Sequence, residues 1–495
     1  MTRPDVTGDL TRDAYAVMLA AFRGPTMPTW LPDAYRQGLA GICLYGDNVD
    51  ADGDLSRLAR EVSALDPTAV LAADEEGGDV TRLHMREGSP APGNLALGIV
   101  DDTDLTRTIA EGIGAELRDA GIWLDLAPCA DVNSNPDNPV IGNRSFGADP
   151  HLVARHTVAF VEGLAEQGVA ASVKHFPGHG DTTADSHIDL PRVTADPATV
   201  RARELVPFVA AIEAGVATIM TSHVVLDAFD AERPATLSRA VLTGLVREEL
   251  GYEGVIVTDA LDMAGASATL GIDGAAVASL AAGADLLCLG PEPTDGPATL
   301  ELAVDAVVTA VTDGTLPRDR LADAARRVRT LRDQWRVDPH PGRQPLGVPP
   351  TRRSRVGGGT SGGKASVTAQ IRATTASRSV AQQVIARQSI QPLTGPATVV
   401  RIDTGTNPAV GDTEWGRLDV PGDRVDLTPA DLASTTPFTG DVIVVARRAH
   451  ADPAAAAWIE QQLAANPNAR LIDLATLGSS PTLTAALSEA LRGEA

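Results

Sequence analysis

Between Lys174 and His187 the chain reads KHFPGHGDTTADSH, fourteen residues holding three histidines, two aspartates and a lysine. Pro177-Gly178 and Gly180 do not suit a helix, so this is a loop leaving the apolar run Val169–Val173. Ionisable groups gathered on a loop at the end of a strand point to a site for proton transfer or ligand binding. For His179 and Asp181 a structural role is an equal expectation, because such side chains often satisfy the backbone of glycine-rich turns. Lys174 stands apart for another reason. The chain has only two lysines, Lys174 and Lys364, and otherwise uses arginine. A compact ammonium kept inside the densest polar segment suggests a tight binding position that a guanidinium would not fit.

Such groups need elements to position them. From residue 35 to 290, apolar runs (Gly41–Tyr45, Ala69–Ala73, Ile122–Ala127, Val169–Val173, Ala217–Thr221, Val255–Thr258, Ala284–Leu289) alternate with helix-like stretches (Leu105–Ala120, His151–Gln167, Ala202–Ala214, Arg239–Leu250). Polar clusters follow the runs: Asp74-Glu75-Glu76, Asp131, Lys174-His175, Ser222-His223 and Asp259. Functional groups after many successive strands predict an α/β fold of the (β/α)8 barrel type. An open doubly wound sheet would gather them at one switch point. The expected division is a barrel over 1–336, a Pro/Gly/Arg-rich linker over 337–375 and a smaller α/β sandwich domain over 376–495. Gly358, Gly363 and Lys364 have P-loop spacing, but Ala365 follows where Ser or Thr is needed and no apolar run precedes them, so phosphate binding is not expected there.

Composition excludes several classes. A formal charge of −24 repels phosphate backbones and anionic lipid, so neither nucleic acid nor membrane is an expected partner. Cys43, Cys129 and Cys288 are odd in number and sit in apolar runs, which suits reduced core thiols. The stretch Ala14–Phe22 is too short to span a bilayer and lacks a signal-peptide context, so the expected location is cytoplasmic.

The loop motif resembles the signature of family-3 glycoside hydrolases, in the β-N-acetylglucosaminidase branch. DEEGGDVTRL (74–83), NPVIGNRSFGADP (138–150), IMTSHV (219–224), PATLSRAVLTGLVREELGYEGVIVTDALDM (234–263) and GADLLCLG (283–290) follow in the order that family shows. The resemblance implies a barrel, often with an α/β domain behind it, and assigns roles. Asp259 would be the carboxylate nucleophile that forms a glycosyl-enzyme intermediate. Its structural alternative is a helix cap. Asp185 and His187 would be the general acid/base pair, the carboxylate orienting a ring that gives and takes back a proton. Asp74, Arg82, Arg144, Lys174 and His175 would hold the non-reducing sugar. An ion pair with Asp149 is the structural alternative for Arg144. Asp79 departs from the pattern, since relatives commonly place Arg there.

The expected activity is removal of terminal N-acetylglucosamine from β-glycosides such as cell-wall fragments, with a carbohydrate partner, no metal and no other cofactor. An imidazole base would not repel phosphate as a carboxylate would, so phosphorolysis at the same site competes with hydrolysis. A β-glucosidase is a further alternative. A metal-dependent hydrolase would use His175, His179, Asp181, Asp185, His187 and His223 as ligands, but leaves Asp259 without a task. A non-catalytic sugar-binding protein is the last alternative.

Overall fold

The computed structural model describes residues 6–50, 52, 54–182, 190–293, 296–335, 362–387, 392–393, 395–402, 418–432, 434–446, 452–473 and 480–493. Eight short strands form a parallel ring: β1 (Met18–Ala21), β2 (Gly41–Leu44), β3 (Val70–Ala73), β4 (Leu124–Asp125), β5 (Ala170–Phe176), β6 (Thr218–Thr221), β7 (Val255–Val257) and β8 (Leu287–Pro291). They pair in the order β7-β6-β5-β4-β3-β2-β1-β8. A bridge between Val257 and Leu286 and a 2.9 Å bond from Thr258 N–H to the Leu286 carbonyl join the two ends, so the expected barrel forms. Seven strands begin in the predicted runs, but β5 continues through Lys174, His175 and Phe176, which the sequence placed in the loop. The eighth, β1, lies inside Ala14–Phe22 and follows the helix Val6–Tyr15 after a two-residue turn, Ala16-Val17, that has neither Gly nor Pro to mark it.

Side chains alternate along each strand. Leu19, Cys43, Val70, Leu124, Val255 and Cys288 belong to one interior cluster, built mostly of small and aliphatic residues with Trp123 among them. Outside, α1 (Thr103–Ala120) and α2 (Pro150–Glu166) cover the β3–β5 side. Asp102 caps the first by accepting from Asp104 N–H and Leu105 N–H, and Asp149 caps the second from His151 N–H. Helix α3 (Arg318–Trp335) closes the N-terminal end of the barrel. Its Val328, Leu331 and Trp335 join the interior cluster, and Arg332 donates to the Thr68 carbonyl at 2.9 Å while pairing with Asp66. The opposite mouth, where the strands end, is left for a ligand.

A second parallel sheet, ordered β10-β9-β11-β12, comprises β9 (Thr398–Ile402), β10 (Arg424–Leu427), β11 (Val442–Ala446) and β12 (Ala469–Asp473). Two helices connect it to the barrel: α4 (Gly362–Arg387) and α5 (Pro481–Arg492). Helix α4 runs without a break through 375–376, where the sequence suggested the end of a linker. It lies on α1, with Arg372 paired to Glu111 at 2.8 Å. Gly358 lies outside the described residues, as does the side chain of Lys364.

Candidate active site

A cavity of about 370 Å³ opens at the C-terminal mouth, within the size range of small-molecule sites. Asp74, Arg82, Arg144, Lys174, His175 and Asp259 all line it, joined by Tyr45, His179, Met220 and Cys288. Residues from the ends of β3, β5 and β7 and from the loops after β3 and β4 thus meet in one place. A groove of about 1140 Å³ lies outside the barrel between helices Gly271–Ala282 and Ala298–Thr312. It brings together none of the buried ionisable groups of the mouth.

Lys174, only 2% exposed, is the centre of the polar network. Its ammonium lies 2.6 Å from Asp74 Oδ1 and 2.7 Å from Glu76 Oε1. Arg144 adds a two-pronged contact to Glu76, Nε to Oε2 at 3.0 Å and Nη2 to Oε1 at 2.7 Å. Arg82 Nη2 approaches Asp74 Oδ2 at 3.4 Å. Burial alone would raise both carboxyls. Lys174 and Arg82 outweigh it at Asp74, and Arg144 and Lys174 outweigh it at Glu76, so both are held below the carboxylate range. Burial likewise opposes the charge on Lys174, and Asp74 and Glu76 more than restore it. Fixed charges of both signs around one small cavity can bond sugar hydroxyls as donors and as acceptors.

The loop after β3 needs special backbone. Gly78 has φ +59°, and a Cβ there would fall 2.6 Å from Gly93 Cα. Glu75 anchors the returning chain by accepting from Arg82 N–H at 2.8 Å and Leu83 N–H at 3.0 Å. Asp79 accepts from Asn143 Nδ2 at 2.8 Å, which ties this loop to the neighbour of Arg144. Arg144 itself pairs with Glu76 rather than with Asp149, which is the cap of α2.

Asp259 follows β7, and its Oδ1 accepts from Ala260 N–H at 2.8 Å. The next helix, Ala264–Ser267, has Met263 at its cap position, so Asp259 does not cap it. His223 steadies this segment from the neighbouring strand. Its Nε2 lies 2.9 Å from the Ala260 carbonyl and its Nδ1 lies 2.9 Å from Thr236 Oγ1. Asp185 and His187 lie outside the described residues. The chain just before them is well anchored. Asp181 pairs with Arg203 at 2.6 Å, and Thr182 meets Asn135, Asn138 and His179 through hydrogen bonds. Burial pushes the His179 ring down to about 4.

The proposed metal ligands do not converge among the described residues, since His179, Asp181 and His223 each serve the separate contacts above. One other trio, Cys129, Asp131 and His175, brings its ligand atoms within 4.8 Å of one another. Asp131 is already filled there. It accepts from His175 Nδ1 at 2.6 Å, His179 N–H at 2.7 Å, Cys129 Sγ at 3.1 Å and His175 N–H at 3.3 Å. Burial drives the Cys129 thiol well above its ordinary range, which opposes a thiolate ligand. Glu76 and Asp131 were not singled out as site residues from the sequence. Their one signal was a carboxylate soon after an apolar run.

Residues 33–331 match the glycosyl hydrolase family 3 N terminal domain. The chain belongs to glycosyl hydrolase family 3. A relative named Beta-hexosaminidase A, from Pseudoalteromonas piscicida, is 38% identical over 283 residues, 53% of this chain and 47% of that protein. The chain thus matches about half the length of that relative. A Beta-hexosaminidase of Methylococcus capsulatus is 36% identical over 51% of this chain and 77% of its own length. Among solved structures, the family 3 β-N-acetylglucosaminidase of Paenibacillus sp. str. FPU-7 superposes with TM-score 0.80 at 29% identity, covering 98% of this chain and 97% of the other. The matched residues 33–331 hold seven of the eight barrel strands, and the superposition extends over the smaller α/β unit as well. No helix among the described residues is long and apolar enough to cross a membrane.

Proposed function

We propose that this chain is a retaining β-N-acetylglucosaminidase that releases terminal N-acetylglucosamine from β-glycosides, with cell-wall fragments in the cytoplasm as the substrate class. The observation that carries this reading is the sharing of one cavity by Asp259, Asp74, Lys174 and Arg144, with Glu76 pairing to Lys174 and Arg144 behind its wall. The network fixes the non-reducing sugar, and Asp259 attacks the anomeric carbon as the glycosidic bond breaks, giving a glycosyl-aspartate. His187, oriented by Asp185, gives its proton to the leaving oxygen. It then takes a proton from water, whose oxygen breaks the glycosyl-aspartate bond. The relatives' names support the sugar, and the order of motifs supports the roles.

Asp259→Ala is expected to abolish turnover of p-nitrophenyl β-N-acetylglucosaminide while leaving a folded protein. Full activity in that variant would refute the assignment. Faster turnover of β-glucosides than of N-acetyl substrates would instead favour a β-glucosidase. The imidazole base keeps phosphate open as acceptor. Product analysis with and without phosphate decides this, since N-acetylglucosamine 1-phosphate appears only if phosphate attacks the intermediate.

A further inference from the structure

His175 was expected to touch the sugar, yet both of its ring nitrogens already face protein groups. Nδ1 lies 2.6 Å from Asp131 Oδ2, and Nε2 lies 3.3 Å from Arg144 Nη2. Asp131 is fully buried, and its Oδ2 is the partner that faces Nδ1. A carboxylate only accepts and a guanidinium only donates. The proton must therefore sit on Nδ1, and Nε2 presents its lone pair to Arg144 and to the cavity.

We infer that Asp131 is a positioning residue that sets the tautomer of His175, so that His175 acts in the cavity as a hydrogen-bond acceptor beside the donors Arg144 and Lys174. The inference rests on the proposed sugar-binding role of this cavity. Arg144 gains from it directly, because the Nε2 lone pair takes one Nη2–H while Glu76 takes the other prongs. A sugar hydroxyl that shares or displaces the Arg144 contact at Nε2 must then donate its proton, while the neighbouring cations donate to the hydroxyl oxygens.

Asp131→Asn reverses this arrangement by a simple constraint. Oδ1 receives the backbone N–H groups of His179 and His175 at 2.7 and 3.3 Å, so the amide oxygen of asparagine has to remain on that side. Its NH2 then faces Nδ1, which has to accept, and the proton moves to Nε2. There it meets an Arg144 N–H, donor against donor.

Nitrogen-15 NMR of the histidine side chains, with the His175 signals assigned by their loss in His175→Gln, reads the tautomer directly. The wild type is expected to show a protonated Nδ1 and a bare Nε2. Asp131→Asn is expected to show the reverse, with KM raised about tenfold and kcat changed less than about threefold, the pattern of lost uniform binding. A proton on Nε2 in the wild type overturns the inference, whether or not the variant folds. So does a folded variant with an unchanged tautomer or an unchanged KM. If the wild type turns over no N-acetylglucosaminide, the proposed function fails while the tautomer measurement still stands on its own.

Discussion

Lys174 shows what single residues contribute and how far a sequence reveals it. Its rarity marks it in the sequence, but its partners are far away along the chain, with Asp74 separated by 100 residues. The Arg144–Glu76 pair is separated by 68, which no local spacing rule could have joined. Residue types at strand ends therefore indicated where the site lies, whereas the pairing inside it had to come from the closed barrel. The consequence is energetic as well as functional. Lys174→Met leaves Asp74 and Glu76 buried with one cation fewer, and breaking a buried pair this way costs about 3–5 kcal/mol. Urea unfolding at neutral pH is expected to show that loss. The loss should shrink toward pH 4, because without Lys174 burial lifts the Asp74 and Glu76 carboxyls and they accept protons more readily. A variant as stable as the wild type would mean that the network contributes little.

At the scale of elements, strands with continuous apolar runs could be read and strands without them could not. β1 shares one apolar stretch with the end of a helix and the short turn between them, and the edge strand β10 alternates charged Arg424 and Asp426 with Val425 and Leu427. The loop that delivers Arg82 is another case, since it depends on His84 beyond its glycines. His84 Nε2 lies 3.0 Å from Glu116 on α1, and Nδ1 lies 3.4 Å from Glu87 in the loop. Burial lowers the ring, but the bond to Glu116 and the charge of Glu75 prevail and raise it to about 9. The folded value exceeds the unfolded one of about 6.5, so the stabilisation is complete below about pH 6.5 and fades as pH rises through about 9. His84→Gln is expected to cost about 1–3 kcal/mol at pH 6, reduced from the full linkage value because the ring is partly exposed, and almost nothing at pH 10. Chemical unfolding of both proteins across that range checks it, and parallel curves would exclude His84 as the source.

The molecule as a whole is tied together by α4, whose second half has a helical pattern in the sequence and whose first half does not. The first half of α4 reads GGKASVTAQIRATT, small residues that resemble linker composition. Those same small residues permit close packing on the barrel. A Cβ added to Gly112 of α1 would lie 2.2 Å from Ala373 Cβ. Beyond this seam, α5 reaches the loop after β3, where Thr482 Oγ1 donates to the Pro90 carbonyl at 2.9 Å. Pro90 precedes Ala91, whose carbonyl receives Gly78 N–H at 2.9 Å, so the smaller unit braces the loop that carries Arg82. If the seam holds that brace in place, widening it should weaken both stability and substrate binding. Gly112→Ala is expected to destabilise the protein by about 1–3 kcal/mol through overpacking, and to raise KM more than it lowers kcat. Ala373→Gly removes the opposing methyl and should restore much of the loss when combined with Gly112→Ala, giving a double-mutant coupling of about 1 kcal/mol or more. Strict additivity of the two substitutions in denaturant unfolding would show that α1 and α4 do not bear on each other at this point.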